Sequence, residues 1–204
     1  HQESFLYECV EALGRIAPID SRVDEIRPAI AQSNIHLENT SEYLTLDLCV
    51  QSHEFRGKEV TSYARNDIAE LPLVLFDKKE IISFYDYEID REEIQRVLGE
   101  DNNRLLQESR VVKYIKRNQY LEAYMKYMEN IAEPLVRAAR LLYTPKQYGY
   151  GLCHISHHLP AETVRELEPF YQVASLEEIE ENLPKAAGMF AEYERRVREK
   201  YRLT

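Results

Sequence analysis

Apolar residues recur along this chain with two different periods, and the switch between them falls near residue 90. Ser4 to Ala17 sets Phe5, Leu6, Cys9, Val10, Leu13 and Ile16 at helical spacing, and Pro18 stops the run. Asp20 to Ile30 is mixed and charged, with a break at Pro28. Asn34 to Leu37 and Tyr43 to Gln51 flank the polar tetrapeptide Glu38-Asn39-Thr40-Ser41, which predicts a hairpin. In its second arm Leu44, Leu46, Leu48 and Val50 alternate with Thr45, Asp47, Cys49 and Gln51, the period of a half-buried strand. His53 to Glu70 is polar and reads as a loop; Leu71 to Phe76 reads as a compact apolar strand; Asp77-Lys78-Lys79 turns it towards a short strand over Glu80 to Tyr85.

Beyond that point the pattern is helical. Asp90 is placed to cap a helix holding Ile94, Val97 and Leu98, with Gly99 as its stop. Arg104 to Lys116 forms a second helix. The longest, Asn118 to Tyr143, carries Leu121, Tyr124, Met125, Met128, Ile131, Leu135, Ala138, Ala139 and Leu142 on one stripe, and Pro134 predicts a kink in it. A Tyr/Gly loop follows over Thr144 to Gly151, then a helix over Ala161 to Tyr171. Ser175 and Glu178 form a capping box for a final helix to about Tyr201, with Pro184 inside it. The fold class is therefore α+β: a small mixed sheet with flanking helices over 1–89, then a C-terminal helical bundle over 90–204.

Composition narrows the classes of function. At 44% hydrophobic and 30% charged, the chain has the apolar content for a core and is not of the disordered class. Its net charge of -10 argues against broad nucleic-acid binding, which draws on Lys and Arg to displace phosphate counterions; a local phosphate site stays open. Cys9, Cys49 and Cys153 are odd in number and far apart, which points to free thiols and a reducing, cytoplasmic setting. No run reaches the ~18–20 apolar residues of a membrane span.

Four features carry candidate chemistry. Asp47 sits mid-strand between Leu46 and Leu48, where Asp is disfavoured; a rigid strand carboxylate suits Mg²⁺, and a solvated edge position is the plain alternative. His154, His157 and His158 share a face if helical and could bind zinc, although the second ligand pair of a structural site is missing; a packing corner ahead of Leu159-Pro160 is the alternative. Lys146, Tyr148 and Tyr150 lie in a Gly-containing loop suited to a base and a phosphate, or simply to covering the core. The run Glu192 to Lys200 reads as a solvated helix face. G-x-S-x-G, H-E-x-x-H, G-x-G-x-x-G and the phosphate-binding G-x-x-x-x-G-K-[ST] loop are absent.

Leu44-Thr45-Leu46-Asp47-Leu48-Cys49 resembles the strand bearing the third catalytic Asp of nucleotidyltransferases with the polymerase-β-like fold. Leu73 to Ile82, with Asp77-Lys78 between two apolar runs, is similar to the stretch that follows in the aminoglycoside-type branch. Arg140 to Tyr143, the Pro/Lys/Tyr/Gly loop, His157-His158-Leu159-Pro160 and Ser175-Leu176-Glu177-Glu178 resemble that branch's C-terminal helical domain. The family's Gly-Ser and Asp-x-Asp motifs are missing ahead of Asp47, so either the chain begins downstream of them or the domain is a degenerate relative. The resemblance implies transfer of a nucleoside monophosphate from a nucleoside triphosphate to the hydroxyl of a small acceptor, with pyrophosphate released. It implies Asp47 as a Mg²⁺ carboxylate and general base, Lys146 screening phosphate charge, and Tyr148 and Tyr150 lining the cleft. The Arg-x4–6-His pattern of helical ribonucleases that accompany such enzymes is absent.

Two other classes stay open. One is a non-catalytic regulatory module whose apolar helical stripes bind a partner or a second copy of the chain; the other is a metal-binding helical protein built on the His154, His157 and His158 cluster.

Overall fold

The computed structural model describes residues 22–27, 30–41, 43–51, 62–67, 69, 71–75 and 77–203. The helix expected over Ser4 to Ala17 and most of the stretch from His53 to Glu70 lie outside them, as does Phe76. The architecture is α+β, with strands first and helices after, in two compact units, His1–Val60 and Thr61–Thr204.

In the first unit β1 (Arg22–Arg27), β2 (Ile30–His36) and β3 (Thr45–Gln51) form an antiparallel sheet in the order β1-β2-β3. The expected hairpin is β2–β3, with Ile35 opposite Leu46 and Asn34 opposite Asp47. Asn39 at φ 61° and the Leu44 N–H to Ser41 carbonyl bond close its turn; Asn is one of the few side chains that tolerate the left-handed region. Leu46 and Leu48 are half-buried while Thr45, Asp47 and Cys49 are exposed, so the alternation holds. β1 was not signalled, because its sequence is dominated by charge; it pairs with β2 through a bulge between Val23 and Glu25.

The second unit opens with a parallel pair, β4 (Ser62–Ala64) and β5 (Ser83–Tyr85), joined by a 2.7 Å bond between the Ser62 and Ser83 hydroxyls. The strand expected over 71–76 does not form: residues 71–75 are irregular, and Leu73 is 85% exposed. An apolar run is a strand only if its backbone finds a partner, and Pro72 lacks a donor to offer one. The turn at Asp77 is real. Its carboxylate accepts from the Ile82 and Ile81 N–H groups at 2.8 and 3.0 Å, which holds the group below the usual carboxylate range.

Seven helices follow among the described residues: α1 (Arg91–Leu105), α2 (Glu108–Ile115), α3 (Tyr120–Tyr127), α4 (Glu133–Tyr143), α5 (Ile155–His158), α6 (Ala161–Leu167) and α7 (Leu176–Tyr201). Asp90 caps α1 through the Glu92 N–H, and Ser175 caps α7 through the Glu178 N–H, both as the sequence indicated. Gly99 does not end α1; it lies inside the helix, which runs on to Leu105. A C-terminal glycine acts by adopting a left-handed conformation, and here the chain stays helical through it.

The helix expected over Asn118 to Tyr143 is divided. A π-turn, Met128–Ala132, separates α3 from α4, and the Glu133 N–H reaches back to the Met128 carbonyl. Pro134 therefore sits in the first turn of α4, where no helical donor is required. The wide turn inserts one residue and shifts the helix phase by about 100°. As a result Ala123 and Tyr127 are buried, whereas Leu121 is 75% and Met125 is 52% exposed. The C-terminal half of the stripe, Ile131, Leu135, Ala138, Ala139 and Leu142, packs in the core with Ile94, Val97 and Leu98 of α1 and Ile179, Leu183, Phe190, Tyr193 and Val197 of α7.

One carboxyl is buried in this bundle. Asp101 of α1 is fully excluded from solvent, and neither of its oxygens has a hydrogen-bond donor. Its nearest cation is the Arg137 guanidinium of α4 at 3.4 Å. Burial outweighs Arg137 and Arg104, and pushes the carboxyl up to about 7.

Candidate functional site

The Tyr/Gly loop after α4 is held from below by Arg140. This guanidinium is fully buried and donates to the Gly151 carbonyl at 2.8 Å, the Cys153 carbonyl at 2.6 Å, the Thr144 hydroxyl at 3.4 Å and His158 Nδ1 at 3.3 Å. Burial pulls its pKa down, yet guanidinium stays charged at any ordinary pH. Because Arg140 can only donate, His158 Nδ1 must accept, and the ring is fixed as the Nε2–H tautomer. His154 adopts φ 52° and stacks obliquely on His158, ring centres 5.7 Å apart. The histidine segment thus forms a hydrogen-bonded corner, α5. Among the described residues no group of three or more His, Cys, Asp or Glu side chains is gathered to hold a metal ion.

Lys146 and Gln147 of the loop converge on a residue that the sequence did not single out. Asp67 is 5% exposed; its Oδ2 accepts from Gln147 Nε2 at 2.7 Å and Lys146 Nζ at 3.0 Å, and its Oδ1 accepts from the Ala69 N–H at 3.0 Å. Burial alone would raise its pKa, but these donors and the charge of Lys146 outweigh it and the carboxyl lies below its ordinary value. Next to Asp67, the Asn66 amide bonds both the carbonyl and the N–H of Tyr87, at 2.8 and 3.0 Å. A recess of about 30 Å³ lies among Asn66, Asp67, Tyr87, Tyr143, Thr144, Pro145, Lys146 and Gln147, room for about one water molecule.

Asn66, Tyr87, Tyr143 and Pro145 also border a wider, open cleft of about 530 Å³. Its other walls are Glu88, Ile89 and Arg91 at the start of α1, and Lys200, Tyr201 and Arg202 at the end of α7. The α7 end is fixed to α4: Lys200 Nζ donates to the Leu142 carbonyl and the Tyr201 hydroxyl to the Leu141 carbonyl. Burial pulls the Lys200 ammonium down from its usual value. The Tyr143 hydroxyl accepts from Arg196 at 2.9 Å, which locks that ring as a wall. Three cations and three tyrosines against one acid, Glu88, make this a basic, aromatic concavity in a chain of net charge -10. Such a surface attracts a planar anion, the rings taking a flat group and the cations its charge.

The residues named from sequence are distributed differently. Asp47 lies in the first unit, exposed on β3. Mg²⁺ bound with a nucleotide takes one or two carboxylates besides phosphate oxygens, and Asp47 supplies a single one. Lys146 borders the recess with its charge matched by Asp67; the Tyr148 hydroxyl donates to Glu93 of α1, and Tyr150 is 47% exposed. Arg96 first, then Tyr148, draw Glu93 down to about 2. Arg91 and Arg202 escaped the sequence reading, and Lys200, expected on a solvated helix face, is part-buried against the Leu142 carbonyl, because only the packing of α1 and α7 on α4 sets residue 91 beside residues 200–202.

Comparison with family models, curated proteins and solved structures finds no match to this chain. No helix among the described residues is long and apolar enough to cross a membrane.

Proposed function

We propose that the second unit binds a nucleoside triphosphate in the cleft between α1 and the end of α7, and that the chain is a nucleotidyltransferase-like protein. In this reading a nucleoside monophosphate passes from the triphosphate to a hydroxyl of a small acceptor in the cytoplasm. The observation that carries it is the gathering of Arg91, Lys200 and Arg202 with Tyr87, Tyr143 and Tyr201 around one open concavity of an otherwise acidic protein. Arg91 and Arg202 take the phosphates, Lys200 adds a shorter-range charge at the α4 end, and a tyrosine face takes the base. Lys146 is held by Asp67 at the inner recess that shares four residues with the cleft. Its role is to fix the recess wall, its charge being matched by Asp67. Asp47 lies on the first unit and owes the role of metal carboxylate to the family resemblance alone; transfer also requires the acidic pair that the family's Asp-x-Asp supplies, and no such pair precedes Asp47 in this sequence.

Isothermal titration of the chain with Mg-ATP and Mg-GTP is the test. Expected is saturable heat, weakened about tenfold by Arg91→Ala with Arg202→Ala, the loss typical of charge-assisted phosphate contacts. Tripolyphosphate and adenosine titrated separately report the cation and ring contributions. Absence of heat with both nucleotides up to millimolar concentration ends the reading.

A further inference from the structure

Outside the cleft, the surface arginines and lysines of the helical bundle are mostly matched to acids. Arg96 pairs with Glu93 and Glu100, Arg104 with Glu133, Lys126 with Glu129, Arg195 with Glu192 and Glu199, and Arg198 with Glu194. Among the described residues Arg165 and Lys185 stand singly without an ion pair, whereas α2 and the turn that follows it gather four such cations. Arg110, Lys113, Lys116 and Arg117 are all exposed, and among the described residues none of them enters an ion pair; Lys113 lies over the ring of its neighbour Tyr114 at 4.4 Å. At about 100° per residue the four fall within an arc of roughly 120° opposite Val111, which is fully buried. They span about 10 Å along the helix. A single acid, Glu108, occupies the segment, at the helix N-terminus where the dipole favours it. The same helical hairpin leaves Leu106 80%, Leu121 75% and Met125 52% exposed.

We propose that the outward face of α2 docks an acidic, leucine-bearing segment of a partner protein. Charge complementarity argues for the acidic character: four exposed cations without a close ion pair, of which Arg110 alone feels a more distant acid, Glu129, persist on a chain whose other charge sums strongly negative. The exposed Leu106, Leu121 and Met125 argue for a peptide rather than a nucleic acid, since apolar side chains gain nothing from phosphates. Four charges would also give only a shallow electrostatic hold on a polyanion that the rest of the chain repels. This inference stands apart from the nucleotide cleft and does not depend on it.

Fluorescence anisotropy with a labelled synthetic peptide of about 16 residues, built from Glu and Leu, tests it on the full chain. Expected is binding that weakens about tenfold between about 50 and 300 mM salt, and at least as much in the variant with Arg110, Lys113, Lys116 and Arg117 all changed to Gln. Thermal melting followed by helical circular dichroism confirms that this surface variant is folded; the salt series on the unmodified chain tests the same point without it. Any of four results overturns the proposal: no rise in anisotropy up to millimolar peptide, binding that the variant retains in full, tighter variant-sensitive binding of a single-stranded RNA of equal length, or salt-sensitive self-association that the variant abolishes.

Discussion

Asp101→Asn isolates the most unusual electrostatic feature of the bundle. The wild-type carboxyl is fully buried, lacks a donor on either oxygen, and titrates near 7 instead of at 3.8. A folded-state pKa raised above the unfolded one means that the native state keeps a proton the unfolded chain has released. The stability contributed by that proton is whole below pH 3.8, falls as pH rises, and is gone above about 7. At about 1.4 kcal/mol per tenfold, the full loss is roughly 4 kcal/mol. The groups around Asp101 set this balance: Arg137 and Arg104 favour ionisation, while Glu100 and Glu133 oppose it. Asn stands in for the protonated acid, so the variant should match the wild type near pH 4 and exceed it at pH 8 by up to about 4 kcal/mol. Urea denaturation of both proteins, followed by circular dichroism at half-unit pH steps, gives the difference directly, and ionisations common to both cancel. If the wild type instead gains on the variant as pH rises, attraction to Arg137 outweighs burial and the reasoning fails.

Arg140→Met strips the donors from the part-buried Gly151 and Cys153 carbonyls and should cost about 2–3 kcal/mol in the same denaturation assay, with Lys a poor rescue because it lacks the planar fork. Asp67→Asn removes a carboxyl whose folded pKa is lowered; its stabilisation is present above pH 3.8 and is lost as pH falls through the folded value, so the variant's stability curve should be flatter on its acid side, as acid titration would show. Ser175→Ala deletes the cap of α7 and should lower stability by about 0.5–2 kcal/mol, with hydrogen exchange rising first at Glu177 and Glu178. Tyr127→Phe takes away a buried hydroxyl that faces the Asn182 side chain as its hydrogen-bond partner, so thermal melting should show a midpoint lowered by a few degrees at most.

Local signals were enough for the elements whose cause is local. Asp90 and Ser175 satisfy helix N–H groups within three residues of themselves, the alternation from Thr45 to Cys49 needs only a partner strand, and Asp77 forms its turn with its own following N–H groups. Each such contact is specified by spacing along the chain, so the sequence determined an α+β protein with a β-hairpin and a helical C-terminal bundle. The apolar run from Leu71 to Leu75 looked equally local and was not, because a strand exists only through another strand's backbone, and β5 pairs with β4 instead.

What the tertiary structure alone decided involves residues far apart in sequence. One extra residue in the π-turn ahead of Pro134 rotates α3, exchanging Leu121 and Met125 for Ala123 and Tyr127 in the core, a phase change that no regular period encodes. Asp67 became the partner of Lys146 and Gln147 across some 80 positions, and Arg91 met Lys200 and Arg202 across more than 100. Asp101, which continues the apolar stripe of Ile94, Val97 and Leu98, reads in sequence as one more charge in an acidic helix; only the packing of α4 over it removes water and pushes that carboxyl up to about 7. Periodicity records which face of a helix is turned inward, whereas the identity of what lies opposite is fixed by three-dimensional packing.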